Sequence, residues 1–175
     1  MRLRSLVSIA LVILVGIGSA LACGDKLLFM GNGINLALII KSAHPATVLI
    51  YMNPGSQLPA ADKEVQLQDV LKRAGHKARP IASRAEFLQT LTTGGYDVVV
   101  TDIADARTLK SDVETASGKP ALVPVLYKAS KDQVAVAQKQ FGCPVKADRN
   151  NSILKTIDEV MKNKQKGIMP QCHAL

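Results

Sequence analysis

The stretch Asp97-Val98-Val99-Val100-Thr101-Asp102 (DVVVTD) decides the fold. Four consecutive β-branched residues show neither the alternation of a half-exposed strand nor a helical period, so Asp97–Thr101 reads as a strand covered on both faces, as in a parallel sheet. It delivers Asp102 to its C-terminal end. Upstream, Ser83 and Glu86 have the spacing of a capping box and open a helix that ends at Gly94-Gly95. A short strand over about Ala78–Ala82 precedes it. Before that, residues 60–74 read as one helix with Val65, Val70, Leu71 and Ala74 toward the sheet and Gly75 as its stop. Thr47–Met52 (TVLIYM) is a second buried strand.

Downstream, residues 106–117 form a helix on Leu109, Val113 and Ala116, stopped by Gly118 and Pro120. Leu122–Tyr127 is the fourth strand, with pairing expected to begin near Pro124, because proline lacks a ladder donor. Ser130 and Gln133 make another capping box, ahead of Val134, Ala137 and Phe141 on one helical face. Cys143–Ala147 is a short edge strand marked by Pro144. The last helix, residues 151–164, carries Ile153, Leu154, Ile157, Val160 and Met161 on one side. Five β-α units with right-handed crossovers predict an α/β fold: a three-layer, doubly wound, five-stranded parallel sheet of order 2-1-3-4-5.

The flanks carry an address. Residues 1–22 combine Arg2 and Arg4, an apolar run from Leu6 to Leu21 and small residues at Ala20 and Ala22, the pattern of an export signal peptide. Cleavage after Ala22 exposes Cys23, which resembles a lipoprotein lipobox, although Ala20 stands where that motif prefers leucine. Lipidation at Cys23 and simple secretion are both open, so the expected location is the periplasm or a membrane-anchored lipoprotein. Residues 23–45 form an N-terminal joint, 46–164 the α/β domain and 165–175 a C-terminal tail. In the joint, Gly31-Asn32-Gly33 lacks the third glycine of a phosphate loop.

Of 175 residues, 47% are hydrophobic and 21% charged, which suits one packed domain and excludes a disordered chain. Loss of Arg2 and Arg4 lowers the formal charge from +8 to +6. Between Lys139 and Lys166 seven basic residues face three acids, a solvated helix face or an attraction for anionic lipid headgroups or an acidic partner. Aromatics are 3% with no tryptophan, which argues against nucleic-acid binding and against a flavin. No cofactor is expected. His44, His76 and His173 have no ligand spacing, and no metal site is expected. Cys23, Cys143 and Cys172 are odd in number. If Cys23 carries lipid, Cys143 and Cys172 are left to pair in a disulfide, since the last helix runs back toward the edge where the fifth strand begins. A Cys23–Cys172 clamp and three free thiols are the rivals.

Across residues 46–164 the segments TVLIYMN, YDVVVTDIADA, PVLYKAS, CPVKA and SILKTIDEVM make the chain resemble a response-regulator receiver domain of the chemotaxis type, which is flavodoxin-like. The resemblance implies aspartyl phosphotransfer at the end of the third strand, where Asp102 stands. It also implies an acidic pair holding Mg²⁺ at the end of the first strand, where this chain has Met52 and Asn53. A hydroxyl residue belongs at the end of the fourth strand, yet Tyr127, Lys128 and Ala129 stand there, with Ser130 next. The receiver lysine is matched by Lys146, followed by Ala147 instead of proline. The resemblance is therefore to a degenerate, pseudo-receiver site.

Asn53, Asp102, Asp105, Lys128, Lys146 and Asp148 are expected to converge at the C-terminal edge of the sheet, where open α/β sheets bind ligands. The alternative is a solvated rim with Lys146 paired to Asp102. The leading expectation is an exported receiver-like module that binds or scaffolds a partner protein of the cell envelope without catalysis. The competing readings are a periplasmic small-molecule binding protein using that edge, and an enzyme, by phosphotransfer at Asp102 or by thiol chemistry at a free cysteine.

Overall fold

The computed structural model describes residues 41–142, 144–147 and 150–167, which belong to a unit spanning Ala37–Leu175. Residues 1–22, the three cysteines and Asp148 lie outside the described residues, and so do the export signal, the lipidation site and the Cys143–Cys172 disulfide. The elements are β1 (Thr47–Tyr51), α1 (Leu58–Val65), α2 (Leu67–Arg73), β2 (Lys77–Ile81), α3 (Arg84–Thr93), β3 (Val98–Asp102), α4 (Ile103–Thr115), β4 (Ala121–Leu126), α5 (Lys131–Phe141), β5 (Val145–Lys146) and α6 (Asn150–Gln165). The sheet order is β2-β1-β3-β4-β5 and every pair is parallel. This is the expected doubly wound, flavodoxin-like α/β fold.

All five residues of β3 are buried, as its apolar run requires. Alternate residues feed two cores. Val48, Ile50, Val98, Val100, Val123 and Val125 pack against α1, α2 and α6, whose Leu58, Leu71, Ile157 and Val160 are buried. Leu49, Tyr51 and Val99 pack on the other face against Phe87 and Leu91 of α3 and Leu109 and Val113 of α4. The aliphatic stripe expected on the last helix is therefore real, with Ile153, Ile157, Val160 and Met161 buried.

The single helix expected over residues 60–74 is two helices. Gln66 breaks it in the left-handed conformation (φ 51°, ψ 47°), and the Asp62 carboxylate accepts hydrogen bonds from the Gln68 backbone N–H (3.1 Å) and side-chain amide (2.7 Å). In one continuous helix Leu67 would sit nine residues from Leu58, about 180° away around the axis. Both are buried, so the break turns Leu67 toward the sheet.

The remaining departures also have local causes. Ser83 caps α3 through the Glu86 N–H, but only half the predicted box forms, because the Glu86 carboxylate meets Arg79 at 3.5 Å. The Ser130–Gln133 box is complete. α4 begins at Ile103 instead of residue 106, because Asp102 itself caps it.

The prolines follow the direction of the backbone donors. Pro124 pairs in register with Thr101 inside a ladder that already begins at Ala121. The Leu126 carbonyl accepts from Ala147 N–H, so Leu126 faces β5, and Pro124 two residues earlier faces the same way. Opposite it the ladder with β5 has not begun, since pairing starts at Val125 and Val145. The missing donor thus falls where no ladder bond is due. In β2 (KARPI), the Ile81 carbonyl is turned to β1 and accepts from Met52 N–H, so Pro80 faces outward.

The domain's contacts reach back beyond residue 46. Ser42 N–H donates to the Ala74 carbonyl (2.9 Å), and the Ser42 hydroxyl donates to Asp158 of α6. Ala46 N–H donates to Nδ1 of buried His76 at 3.1 Å, while His76 Nε2 has no partner among the described residues. Nδ1 is therefore the unprotonated nitrogen of a neutral ring. Burial holds the His76 pKa below its ordinary value, partly opposed by the Asp158 charge.

Two outcomes follow. Gln66→Gly should leave stability unchanged or raised, since glycine removes the left-handed strain, whereas glycine in a continuous helix costs about 1 kcal/mol; urea midpoints distinguish the cases. The unfolded chain binds a proton at His76 more readily than the folded one. Its contribution is thus present above the ordinary histidine pKa of about 6.5 and is lost as pH falls below it, by up to about 1.4 kcal/mol per unit. His76→Asn, which keeps an acceptor for Ala46 N–H, should flatten the stability profile between about pH 7 and 5.5 relative to wild type.

Candidate functional site

β3 ends on Asp102, and the helix that follows starts at the next residue, so the carboxylate is held beside the free N–H groups of that helix. Asp102 Oδ1 accepts from Ala104 N–H at 2.8 Å and caps α4. Its Oδ2 accepts from Gln57 N–H at 3.3 Å, at the start of α1, which has no side-chain cap of its own. Asp102 is 6% exposed. Both oxygens of the candidate phosphoacceptor thus join two helix N-termini, where a negative charge is favoured by the aligned peptide dipoles.

Asn53 lies in the β1–α1 loop, where its Oδ1 accepts from Gly55 N–H (3.0 Å) and its amide donates to Asp105 Oδ1 (2.8 Å). The second oxygen of Asp105 is buried without a partner among the described residues, as is the hydroxyl of Thr101. Thr101 pairs in register with Tyr51 on the face covered by α3 and α4. Burial holds the Tyr51 hydroxyl pKa above its usual value, with the Asp105 charge adding to the effect and Arg84 opposing it. Asn53 and Asp105 were expected at this edge, whereas the part of Thr101 and Tyr51 in the patch was not legible in the sequence. Its members come from β1, β3 and α4, and only the strand register unites them.

Lys128 goes elsewhere. Its ammonium lies 3.4 Å from Glu64 and 4.7 Å from the centre of the Tyr127 ring, and the Tyr127 hydroxyl donates to Glu64. The hydrogen bond from Tyr127, followed by the Lys128 charge, draws the Glu64 pKa down. The hydrogen bond with Tyr127, followed by the Glu64 charge, pushes the Lys128 pKa up. Lys128 adopts a positive φ of 51°, which turns it toward α1. Ser130 is occupied as the cap of α5. Lys146, half-buried on β5, makes no ion pair with Asp102, so the expected Lys146–Asp102 bridge is replaced by the two backbone N–H groups.

The five described candidates thus fall into four places: Asp102 against two helix ends, Asn53 with Asp105, Lys128 with Glu64, and Lys146 by itself. The sequence missed Glu64 and the Gln57 N–H as partners. Glu64 sits on an amphipathic helix like any solvated acid, and a backbone N–H leaves no signature. An apolar cleft lies apart from them, lined by Ala61, Val65, Val125, Val145, Ala147 and Ile153. The residues present do not fit the Mg²⁺ that the receiver resemblance implies. Met52 and Asn53 replace the acidic pair, Asp102 is turned to N–H donors, and among the described residues no three His, Cys, Asp or Glu are grouped to hold a metal.

No protein-family model matches this chain, and no curated protein or solved structure matches it.

The capping role is open to a direct check. Asp102→Ala removes both acceptors and should lower stability by about 1–2 kcal/mol. Asp102→Asn keeps the cap on Ala104 but turns an amide donor toward the Gln57 N–H, so it should cost about 1 kcal/mol. Denaturant midpoints for the two variants read this, and a neutral or stabilising alanine would mean a crowded acidic rim instead of a cap.

Proposed function

We propose that this chain is an exported, receiver-like module that acts by binding a partner protein at the cell envelope, without catalysis of its own. The observation that carries the reading is the commitment of the Asp102 carboxylate to Ala104 and Gln57 N–H groups. A phosphoacceptor must present an oxygen lone pair to an incoming phosphorus, with a cation to screen the charges that meet there. At Asp102 attack would sacrifice a helix cap, and the neighbouring positions supply an amide and a thioether in place of the acids. The receiver assignment itself rests on the segments quoted above together with the 2-1-3-4-5 sheet. Export rests on the charge and hydropathy pattern of residues 1–22, and envelope retention on Cys23 following Ala22.

Incubation of the protein with acetyl phosphate and Mg²⁺, followed by intact-mass measurement, tests the non-catalytic part. The expected result is no phosphoryl adduct, alike for wild type and Asp102→Asn. A stable adduct present in wild type and absent in the variant would restore phosphotransfer at Asp102.

A further inference from the structure

In a parallel sheet every strand begins at one end of the domain, and the helices that return to it finish there. That end gathers a basic surface in this chain. Lys77 opens β2, Lys72 and Arg73 close α2, Lys162 lies in the last turn of α6 with Lys166 just beyond, and Lys41 precedes Ser42, whose N–H is bonded to the Ala74 carbonyl. All six are exposed. None takes part in the ion pairs made by Arg79, Arg84, Lys110, Lys128 and Lys164. The acids at this end are engaged: Asp97 with Lys164 at 3.2 Å, Asp158 with Ser42, and Glu114 with Lys110, and Glu159 beside Asp158 also has a partner. At the opposite end the first helical turns carry Glu86, Asp105 and Asp132, while Asp69 lies one turn before Arg73, whose Nε donates to its carbonyl at 3.3 Å.

Part of this asymmetry is ordinary complementarity to the helix dipoles, which favour cations at helix C-termini. That account covers Lys72, Arg73 and Lys162 and leaves out Lys41 and Lys77, which lie on a connecting segment and a strand. The same surface is where the chain joins the domain, at Ser42, fewer than twenty residues after Cys23.

We propose that this basic end docks on anionic lipid headgroups, so that an N-terminal tether and the surface beside it engage the same membrane. The proposal rests on the envelope reading above. Juxtamembrane lysines and arginines gain from the negative surface potential within a Debye length of the bilayer. A short tether holds them near that layer at high effective concentration, so weak individual attractions suffice. Docked in this way, the domain turns its C-terminal sheet edge, with Lys128, Tyr127 and Glu64, away from the membrane.

The test is cosedimentation of the full chain with vesicles of phosphatidylcholine alone or mixed with phosphatidylglycerol, at low and high salt. The measured quantity is the excess binding that anionic lipid confers. For wild type the excess should be present at low salt and lost at high salt. It should fall more than tenfold in K72Q/K77Q/K166Q, because each charge is worth about fivefold, and persist in R84Q/R107Q/K131Q. Equal losses in the two triple variants would mean diffuse net charge and overturn the proposal, as would the absence of any excess for wild type. Lysine acylation footprinting of the wild-type chain gives a reading free of folding effects: Lys72, Lys77 and Lys166 should be protected on anionic vesicles and Lys131 should not, and uniform labelling would overturn the proposal. Intact mass of envelope-extracted protein reads the anchor separately. An unmodified Cys23 with the lysine pattern intact removes the anchor and keeps the surface, and a lipidated Cys23 without the pattern does the reverse.

Discussion

The carboxylate of Asp102 is the joint on which this end of the molecule depends. One side chain at the tip of the most buried strand accepts from the first turn of α4 and from the residue that opens α1. It thereby ties together helices from the two opposite layers of the sandwich. A buried charge is expensive unless hydrogen bonds replace its water, and here they do so while satisfying helix N–H groups that would otherwise be orphaned. The position that would react in a receiver therefore holds architecture together in this chain, and Asn53 and Asp105 brace each other beside it.

Much of the architecture was legible because the valine run of β3 and the TVLIY run of β1 can be buried on both faces only in a parallel sheet, and the intervening helices have the right length to cross it. The Ser130–Gln133 box and the α6 stripe were equally plain, since both are set by residues a few positions apart. The break at Gln66 was not, because Val65, Val70, Leu71 and Ala74 satisfy a helical period while the burial of Leu58 and Leu67 together is decided by the sheet below. The early start of α4 was hidden for a related reason. Asp102 was weighed as chemistry, and the same carboxylate is a good cap.

The candidate site was legible only as a set of positions. Topology brings Asn53, Asp102, Asp105 and Lys128 to one edge, as expected, but what each side chain does there depends on competing partners. Glu64 outbids the cleft for Lys128, and backbone donors satisfy Asp102 in place of Lys146. Charge along the strand axis has a plainer origin. Parallel strands align all the returning helices, and dipole complementarity then accounts for the charges in their end turns, though not for Lys41 and Lys77.

The two outer strands set a further limit on how another protein can engage this domain. Pro80 offers the outer side of β2 no backbone donor, and the exposed Lys77 and Arg79 flank it. The other edge is a two-residue strand, and because Val145 and Ala147 face β4, Lys146 is its one outward backbone donor among residues 144–147, Pro144 having none. Both edges are thereby poor templates for an incoming strand, whether from a ligand peptide or from a second copy growing into a fibril. Recognition of this domain is then favoured through side chains on helices and loops over extension of the sheet at either end.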